Sequence, residues 1–220
     1  MAFETSHTEV ETRFLDRALR PGARILDAGC GRKTRLRDYR DRIAELVGVD
    51  VDAAAGAENA ALDRFVVADL CTPLPFEDES FDLVYANFVI EHLESPLAAL
   101  QEWRRVLRPD GSVVLLTSNS ANPLVGGARL LPHRVRVLLK GAGAGVAEED
   151  VIPARYAANT PRRLAAVVAK AGFAPVEVAF VATLHRYAER KPFLPAVLRG
   201  FERLLPPLLR STIVAWYRSA

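Results

Sequence analysis

The 220-residue chain is poor in the residues that build metal frameworks and cross-links, with two cysteines and four histidines. Cys30 and Cys71 form no Cys-x-x-Cys pair, which argues against a thiolate zinc site and a disulfide framework and fits reduced thiols in a cytosolic protein. No apolar run reaches the roughly 18 residues needed to span a bilayer. The amino terminus has acids at Glu4, Glu9 and Glu11 and no basic-then-apolar leader, so the expectation is a soluble, cytoplasmic chain or one peripheral to a membrane. Charge of one sign is missing too. With 29 Lys and Arg against 27 Asp and Glu, interspersed rather than in blocks, the net charge is +2 and nothing calls for a nucleic-acid partner. Half of the residues are hydrophobic, enough for one α/β domain with a full core.

A glycine is also absent where a dinucleotide site would need it. Arg24-Ile25-Leu26-Asp27-Ala28-Gly29-Cys30-Gly31 reads as a buried parallel strand ending in an acid and two glycines, the tight turn that a nucleotide-like ligand needs. Gly29-x-Gly31 alone also suits a plain turn. The dinucleotide fingerprint wants a third glycine three residues on, and Thr34 stands there. Asp27 would repel a pyrophosphate and attract a cation such as an ammonium or sulfonium. The next strand, Glu45 to Asp50, ends in an acid about 20 residues downstream, where a doubly wound fold sets a carboxylate against a ribose diol. Phe65 to Ala68 is a third strand, followed by Asp69. Three strands that each finish in an acid at one sheet edge look like ligand contacts, because buried carboxylates cost free energy unless paired.

These pieces resemble the class I S-adenosylmethionine-dependent methyltransferases, in particular the type 11 group. The resemblance continues through Val47-Gly48-Val49-Asp50, Ala68-Asp69-Leu70, Leu74-Pro75-Phe76-Glu77-Asp78-Glu79-Ser80-Phe81-Asp82-Leu83-Val84, Ile90-Glu91-His92-Leu93 and Arg105-Val106-Leu107-Arg108-Pro109-Asp110-Gly111. It covers about residues 24 to 118. It implies a Rossmann-like α/β fold: a doubly wound, seven-stranded sheet of order 3-2-1-4-5-7-6, mostly parallel with an antiparallel carboxyl-terminal strand. It also implies S-adenosyl-L-methionine as cofactor and no metal. Asp27 with the Gly29 and Gly31 backbone would hold the methionine part, Asp50 the ribose hydroxyls, Asp69 with Leu70 the adenine, and Asn87 the region near the sulfonium. Asp52 is the weaker ribose candidate, being two residues further into the loop. Lys33 stands where the family often has a further glycine, and it would narrow the site or reach the cofactor carboxylate. His92 follows the fourth strand and is the candidate catalytic base; the other reading is a histidine that braces the loop.

Along the chain, Val10, Phe14, Leu15 and Ala18 share one face of a helix over about 8 to 20, stopped by Pro21-Gly22, with His7 a solvated residue before it. The arginine-rich run from Arg32 to Ile43 is read as a solvated face of a short helix, the rival being a docking surface for an anionic substrate or membrane. Residues 53 to 61 predict a short helix, 81 to 86 the fourth strand, Pro96 to Leu107 a helix with Trp103 in the core, and 112 to 117 the fifth strand. Thr160 caps a helix begun by Pro161 and ended by Gly172, before strands at 176 to 181 and 211 to 217. The expected organisation is one methyltransferase domain over 1–220, with a substrate lid at about 118–158 and an amphipathic insertion at about 183–210. The lid includes the segments Leu130 to Leu139 and Gly141 to Gly145; His133, Tyr156 and His185 read as structural or substrate-contacting. The insertion packs on its own domain or a partner, or is an interfacial helix making peripheral membrane contact through 193–209.

The reaction implied is S-adenosylmethionine-dependent methylation of a small molecule, with O-methylation of a saccharide or amphipathic lipid-like acceptor as the specific expectation. The alternative is a non-catalytic methyltransferase-like module that binds a partner.

Overall fold

The computed structural model describes residues 6–128, 154–188 and 192–220. The chain opens with α1 (His7–Ala18), followed by β1 (Ala23–Ala28), a 3-10 helix (Arg35–Arg42) and β2 (Ile43–Asp50). Next come α2 (Ala53–Ala57), β3 (Arg64–Val67), β4 (Phe81–Asn87), α3 (Pro96–Val106) and β5 (Leu107–Ser118). The described remainder is α4 (Pro123–Ala128), α5 (Pro161–Lys170), β6 (Phe173–Val181), a 3-10 turn (Leu184–Ala188), α6 (Leu194–Leu204), a 3-10 turn (Pro207–Leu209) and β7 (Thr212–Ser219).

The seven strands form one sheet of order β3-β2-β1-β4-β5-β7-β6. β1, β2, β3, β4 and β5 pair in parallel, and β7 runs antiparallel to both β5 and β6, so β6 points the same way as β1. This is the order and strand direction expected from the sequence. The strands are apolar on both faces because both faces are covered. Leu26, Ala28, Val47 and Val84 pack with α3 and α5, while Ile25, Leu46, Leu83 and Tyr85 pack under α1. Trp103 is fully buried in the first of these cores.

Several boundaries move for identifiable reasons. β5 starts at Leu107, ahead of the expected turn, because the chain pairs with Phe81 before Asp110 takes a left-handed conformation (φ 62°) and the register shifts. The alanine-rich helix is only Ala53–Ala57, capped by the Asp52 carboxylate, which accepts from the Ala54 and Ala55 amides. Asp52 Oδ1 is therefore occupied as a cap. The helix after the glycine loop is 3-10, begun by Thr34, whose hydroxyl accepts from Leu36. His7 departs from its solvated reading: it is half-buried against Phe88, with the ring centroids 6.1 Å apart. The lid lies outside the described residues over 129–153, His133 included.

Candidate functional site

The carboxyl ends of β1, β2, β3 and β4 all leave the sheet at one edge, which is where a doubly wound fold opens its crevice. At the end of β1 the chain turns through Gly29 (φ 74°) and Gly31 (φ 49°), a left-handed region that strains any residue with a Cβ. Gly29 meets a second constraint as well. A Cβ there would lie 2.4 Å from Cγ2 of Val89, so the loop after β4 closes directly onto the loop after β1.

The acids at this edge have distinct environments. Asp27 lies in register with Gly48 and Tyr85, on the α1 side of the sheet, and is 2% exposed. Its Oδ2 is buried with no hydrogen-bond partner. Burial pushes its pKa up to about 7, the Thr34 hydrogen bond opposes the rise, and the charge on Asp50 adds to it. Asp50 sits across the gap between the two loops: Oδ2 accepts from the Gly31 amide (2.9 Å) and Oδ1 from the Asp52 amide (3.0 Å). Each oxygen keeps a lone pair for a further donor. Asp69 is exposed at the end of β3 and holds its loop by accepting from the Cys71 amide, with Leu70 buried beneath. Val51, just past Asp50, is exposed. Asn87 is exposed at the end of β4, and Phe88 beyond it is left-handed (φ 55°). The structure thus brings Asp27, Gly29, Gly31, Asp50, Asp69, Leu70 and Asn87 to one edge, as the sequence predicts.

Cys30 is buried, and the loss of solvent raises its thiol to about 12, which removes it as a nucleophile at neutral pH. Lys33 is exposed on the outside of the glycine loop. The arginine run beside it is mostly answered by acids: Arg40 chelates Asp63 (2.9 and 2.7 Å), Arg42 reaches Asp16, and Arg32 faces Glu58. This supports the solvated-face reading for most of the run.

Two constellations at this edge escaped sequence reasoning. The first surrounds His92. His92 is half-buried in the turn after β4, its amide bonded to the Val89 carbonyl, and the acid before it braces the neighbouring loops. Buried Glu91 accepts from the hydroxyls of Thr117 (2.6 Å) and Ser118 (2.9 Å), while its carbonyl takes the amides of Arg155 and Tyr156. Asn159 donates to Thr117 Oγ1 (2.6 Å) and the Ser118 carbonyl (3.1 Å), so three loops are locked together. The second is buried Glu11 on α1, which accepts a short hydrogen bond from the Tyr85 hydroxyl. Burial raises the pKa of both groups, opposed at Glu11 by the Tyr85 hydrogen bond and the charges of Arg35 and Arg186. The signal for Glu11 was its place on the apolar face, one residue after Val10.

The opposite, amino-terminal edge carries a cavity of about 140 Å³ lined by Arg17, Arg20, Asp82, Arg108, Asp110 and Arg218 among others. It lies away from the strand ends where the acids gather. Among the described residues, no group of three His, Cys, Asp or Glu is placed to hold a metal ion.

Comparison with known proteins agrees with this geometry. Residues 26–115 match the family model described as a methyltransferase domain. Malonyl-[acyl-carrier protein] O-methyltransferase of Enterobacter lignolyticus is 36% identical over 126 residues, covering 54% of this chain and 49% of that protein. Demethylmenaquinone methyltransferase of Beutenbergia cavernae is 37% identical over 98 residues, covering 44% of this chain and 41% of that protein. The chain thus spans about half the length of the curated relatives it matches. Among solved structures, an S-adenosylmethionine dependent methyltransferase from Mesorhizobium loti superposes with a TM-score of 0.63 at 19% identity, covering 96% of both chains. The [4+2]-cyclase SpnF superposes at 0.62 and 20% identity, covering 96% of this chain and 80% of its own. Residues 26–115, from β1 to β5, thus carry the methyltransferase-domain match, and the sheet order of the described residues is that of the class I S-adenosylmethionine-dependent methyltransferase fold.

Proposed function

We propose that the chain, as one domain with its lid at about 118–158 and its insertion at about 183–210, methylates a small molecule from S-adenosylmethionine. The observation that carries the reading is the orphaned Oδ2 of Asp27, buried at the end of β1 beside two left-handed glycines. A buried carboxylate oxygen without a donor is costly, and an ammonium removes that cost. The donor set fits the cofactor: an acceptor for an ammonium at Asp27, spare lone pairs on Asp50 for a ribose diol, and apolar Val51 and Leu70 with Asp69 for an adenine. When bound, the cofactor supplies a methyl group on a sulfonium, a good leaving group.

What remains for the protein is placement and proton handling. Asn87 and the strained Phe88 set the floor on which the acceptor meets the methyl, and the Glu91, Thr117 and Asn159 lock holds that floor still. His92 takes the proton from an acceptor hydroxyl. The acceptor is a saccharide or an amphipathic lipid-like molecule, which fits the apolar stripe that α6 turns outward next to this edge: Leu194, Val197 and Leu204 are exposed. Flanked by exposed Arg199 and Arg203, that stripe makes peripheral contact with an anionic membrane surface.

Isothermal titration with S-adenosylhomocysteine tests the assignment. Wild type and His92→Ala should bind alike, and Asp50→Ala should lose at least about tenfold through its two hydroxyl contacts. Failure of the wild type to bind would leave a partner module as the function. Loss of binding in His92→Ala would remove its role as a base.

A further inference from the structure

The cofactor reading leaves a group of charged residues unused, where four segments meet at the carboxyl edge. His7 comes from the start of α1, Arg35 from the 3-10 helix after β1, Phe88 from the loop after β4, and Arg186 from the turn after β6. The Arg186 guanidinium lies 3.1 and 3.2 Å from the ring nitrogens of His7, and the edge of the His7 ring meets Phe88, next to Asn87. Arg35 is near enough for its charge to act on His7. Its Nε is buried and without a hydrogen bond, the nearest carboxylate oxygen being that of Glu11 at 3.8 Å.

The charges cancel only in part. Glu11 Oε1 accepts from the Tyr85 hydroxyl while its Oε2 stands 3.8 Å from Arg35 Nε, and Asp38 answers Arg35 through one guanidinium nitrogen at 3.3 Å. Among the described residues, no carboxylate lies within ion-pair distance of Arg186, in contrast to Arg13, Arg17, Arg24, Arg40 and Arg42. A guanidinium is pre-shaped for planar oxyanions, and two of them around a half-buried imidazole, on an apolar floor, form a site rather than a solvated surface.

On the methyltransferase reading, we infer that His7, Arg35 and Arg186 bind an anionic group of the acceptor, a carboxylate or a phosphate, and so deliver the rest of that molecule across Phe88 to Asn87. Such a group would accept from both guanidiniums and from the imidazole. His7 reports the field it would meet: burial and the charges of Arg186, Arg35 and His185 lower its pKa to about 4. Glu11 faces the same space from α1; burial raises its pKa, while the Tyr85 hydroxyl and the charges of Arg35 and Arg186 lower it.

The test uses the full chain saturated with S-adenosylhomocysteine and three probes of one tail length: octanoate, octyl phosphate and octyl glucoside. Calorimetry should give octanoate or octyl phosphate, or both, an affinity at least about tenfold above that of the neutral glucoside. The two anions together tell a carboxylate site from a phosphate site. Arg35→Gln and Arg186→Gln should each erase about tenfold of that preference, with Arg186→Lys retaining part of it, and leave glucoside and S-adenosylhomocysteine affinities unchanged. Both arginines are partly exposed, so these variants keep the fold, which thermal melting confirms. In parallel, the NMR titration of His7 should move upward from its low value when the preferred anion is present and stay put with the glucoside. Equal affinity for all three probes, or a preference that survives the Arg35→Gln/Arg186→Gln double variant, overturns the inference. If S-adenosylhomocysteine does not bind, the methyltransferase reading fails by itself, and the same anion titration on the free protein still decides this one.

Discussion

At the scale of single residues, the proposed cofactor role of Asp27 predicts how binding depends on pH. Its folded pKa of about 7 lies above the ordinary 3.8 because its carboxylate is buried with one oxygen unanswered and with Asp50 close by. The folded chain therefore holds this proton more tightly than the unfolded one. The resulting stabilisation is fully present below about 3.8 and is lost as pH rises through about 7. An ammonium brought against Asp27 favours the charged form, so binding releases the proton near neutrality. S-adenosylhomocysteine affinity is expected to be flat above pH 7 and to fall by up to about tenfold per unit below it. The binding heat at pH 7 should then vary with the ionisation enthalpy of the buffer. Asp27→Asn should flatten the profile, and an unchanged slope in that variant would mean that another group titrates. Asp27 stood out in the sequence as a candidate, because an acid before Gly29-Cys30-Gly31 has few structural reasons to be there. His7 and Glu11 were harder to read. Their burial depends on Phe88, just after β4, and Tyr85, within it, and no local periodicity reveals that an acid near Val10 faces a tyrosine far along the chain.

At the scale of elements, legibility followed the strength of the local pattern. The strands β1, β2 and β4 are short apolar runs buried on both faces, and their ends fell close to expectation. β5 and β6 begin earlier than expected because pairing across the sheet carries them through Pro109 and Pro175, which local rules read as breakers. α6 was legible as a helix but not in its orientation. A periodic apolar face ordinarily turns inward, yet the buried residue of α6 is Glu202, from its polar face. Glu202 accepts from the Leu184 amide (2.8 Å) and the Ser211 amide (3.0 Å), joining the helix to the end of β6 and the approach to β7. Glu202→Ala would leave both amides without an acceptor, each costing about 1–3 kcal/mol where buried. Urea unfolding should show a loss of about 2–4 kcal/mol for this variant and a smaller one for Glu202→Gln, whose amide oxygen still serves one donor. A change below about 0.5 kcal/mol would mean that α6 is held by other contacts.

At the scale of the whole molecule, the outward stripe of α6 belongs to the same edge as the candidate site, since α6 lies in the connection from the carboxyl end of β6 to the start of β7. Phe193 (84% exposed), Val197 (62%), Leu204 (87%) and Leu208 (56%) stand in solvent, and α6 packs on the turn that carries Arg186. No helix among the described residues is long and apolar enough to cross a membrane, so contact with lipid would be from the surface. Each such side chain that enters the acyl boundary contributes about 1.5–3 kcal/mol, and the nearby arginines add attraction to anionic head groups. An acceptor drawn from the bilayer would then arrive head group first at Arg35 and Arg186, which gives the stripe and the cationic site one purpose. Vesicle flotation tests this at its own scale. The protein should float with phosphatidylglycerol-rich vesicles and far less with phosphatidylcholine alone. Val197→Glu and Leu204→Glu, at positions already exposed and therefore neutral to folding, should each weaken the association about tenfold or more without shifting the thermal melt. Flotation that is indifferent to both substitutions would separate the stripe from lipid, and the cationic site would then have to collect its anion from solution.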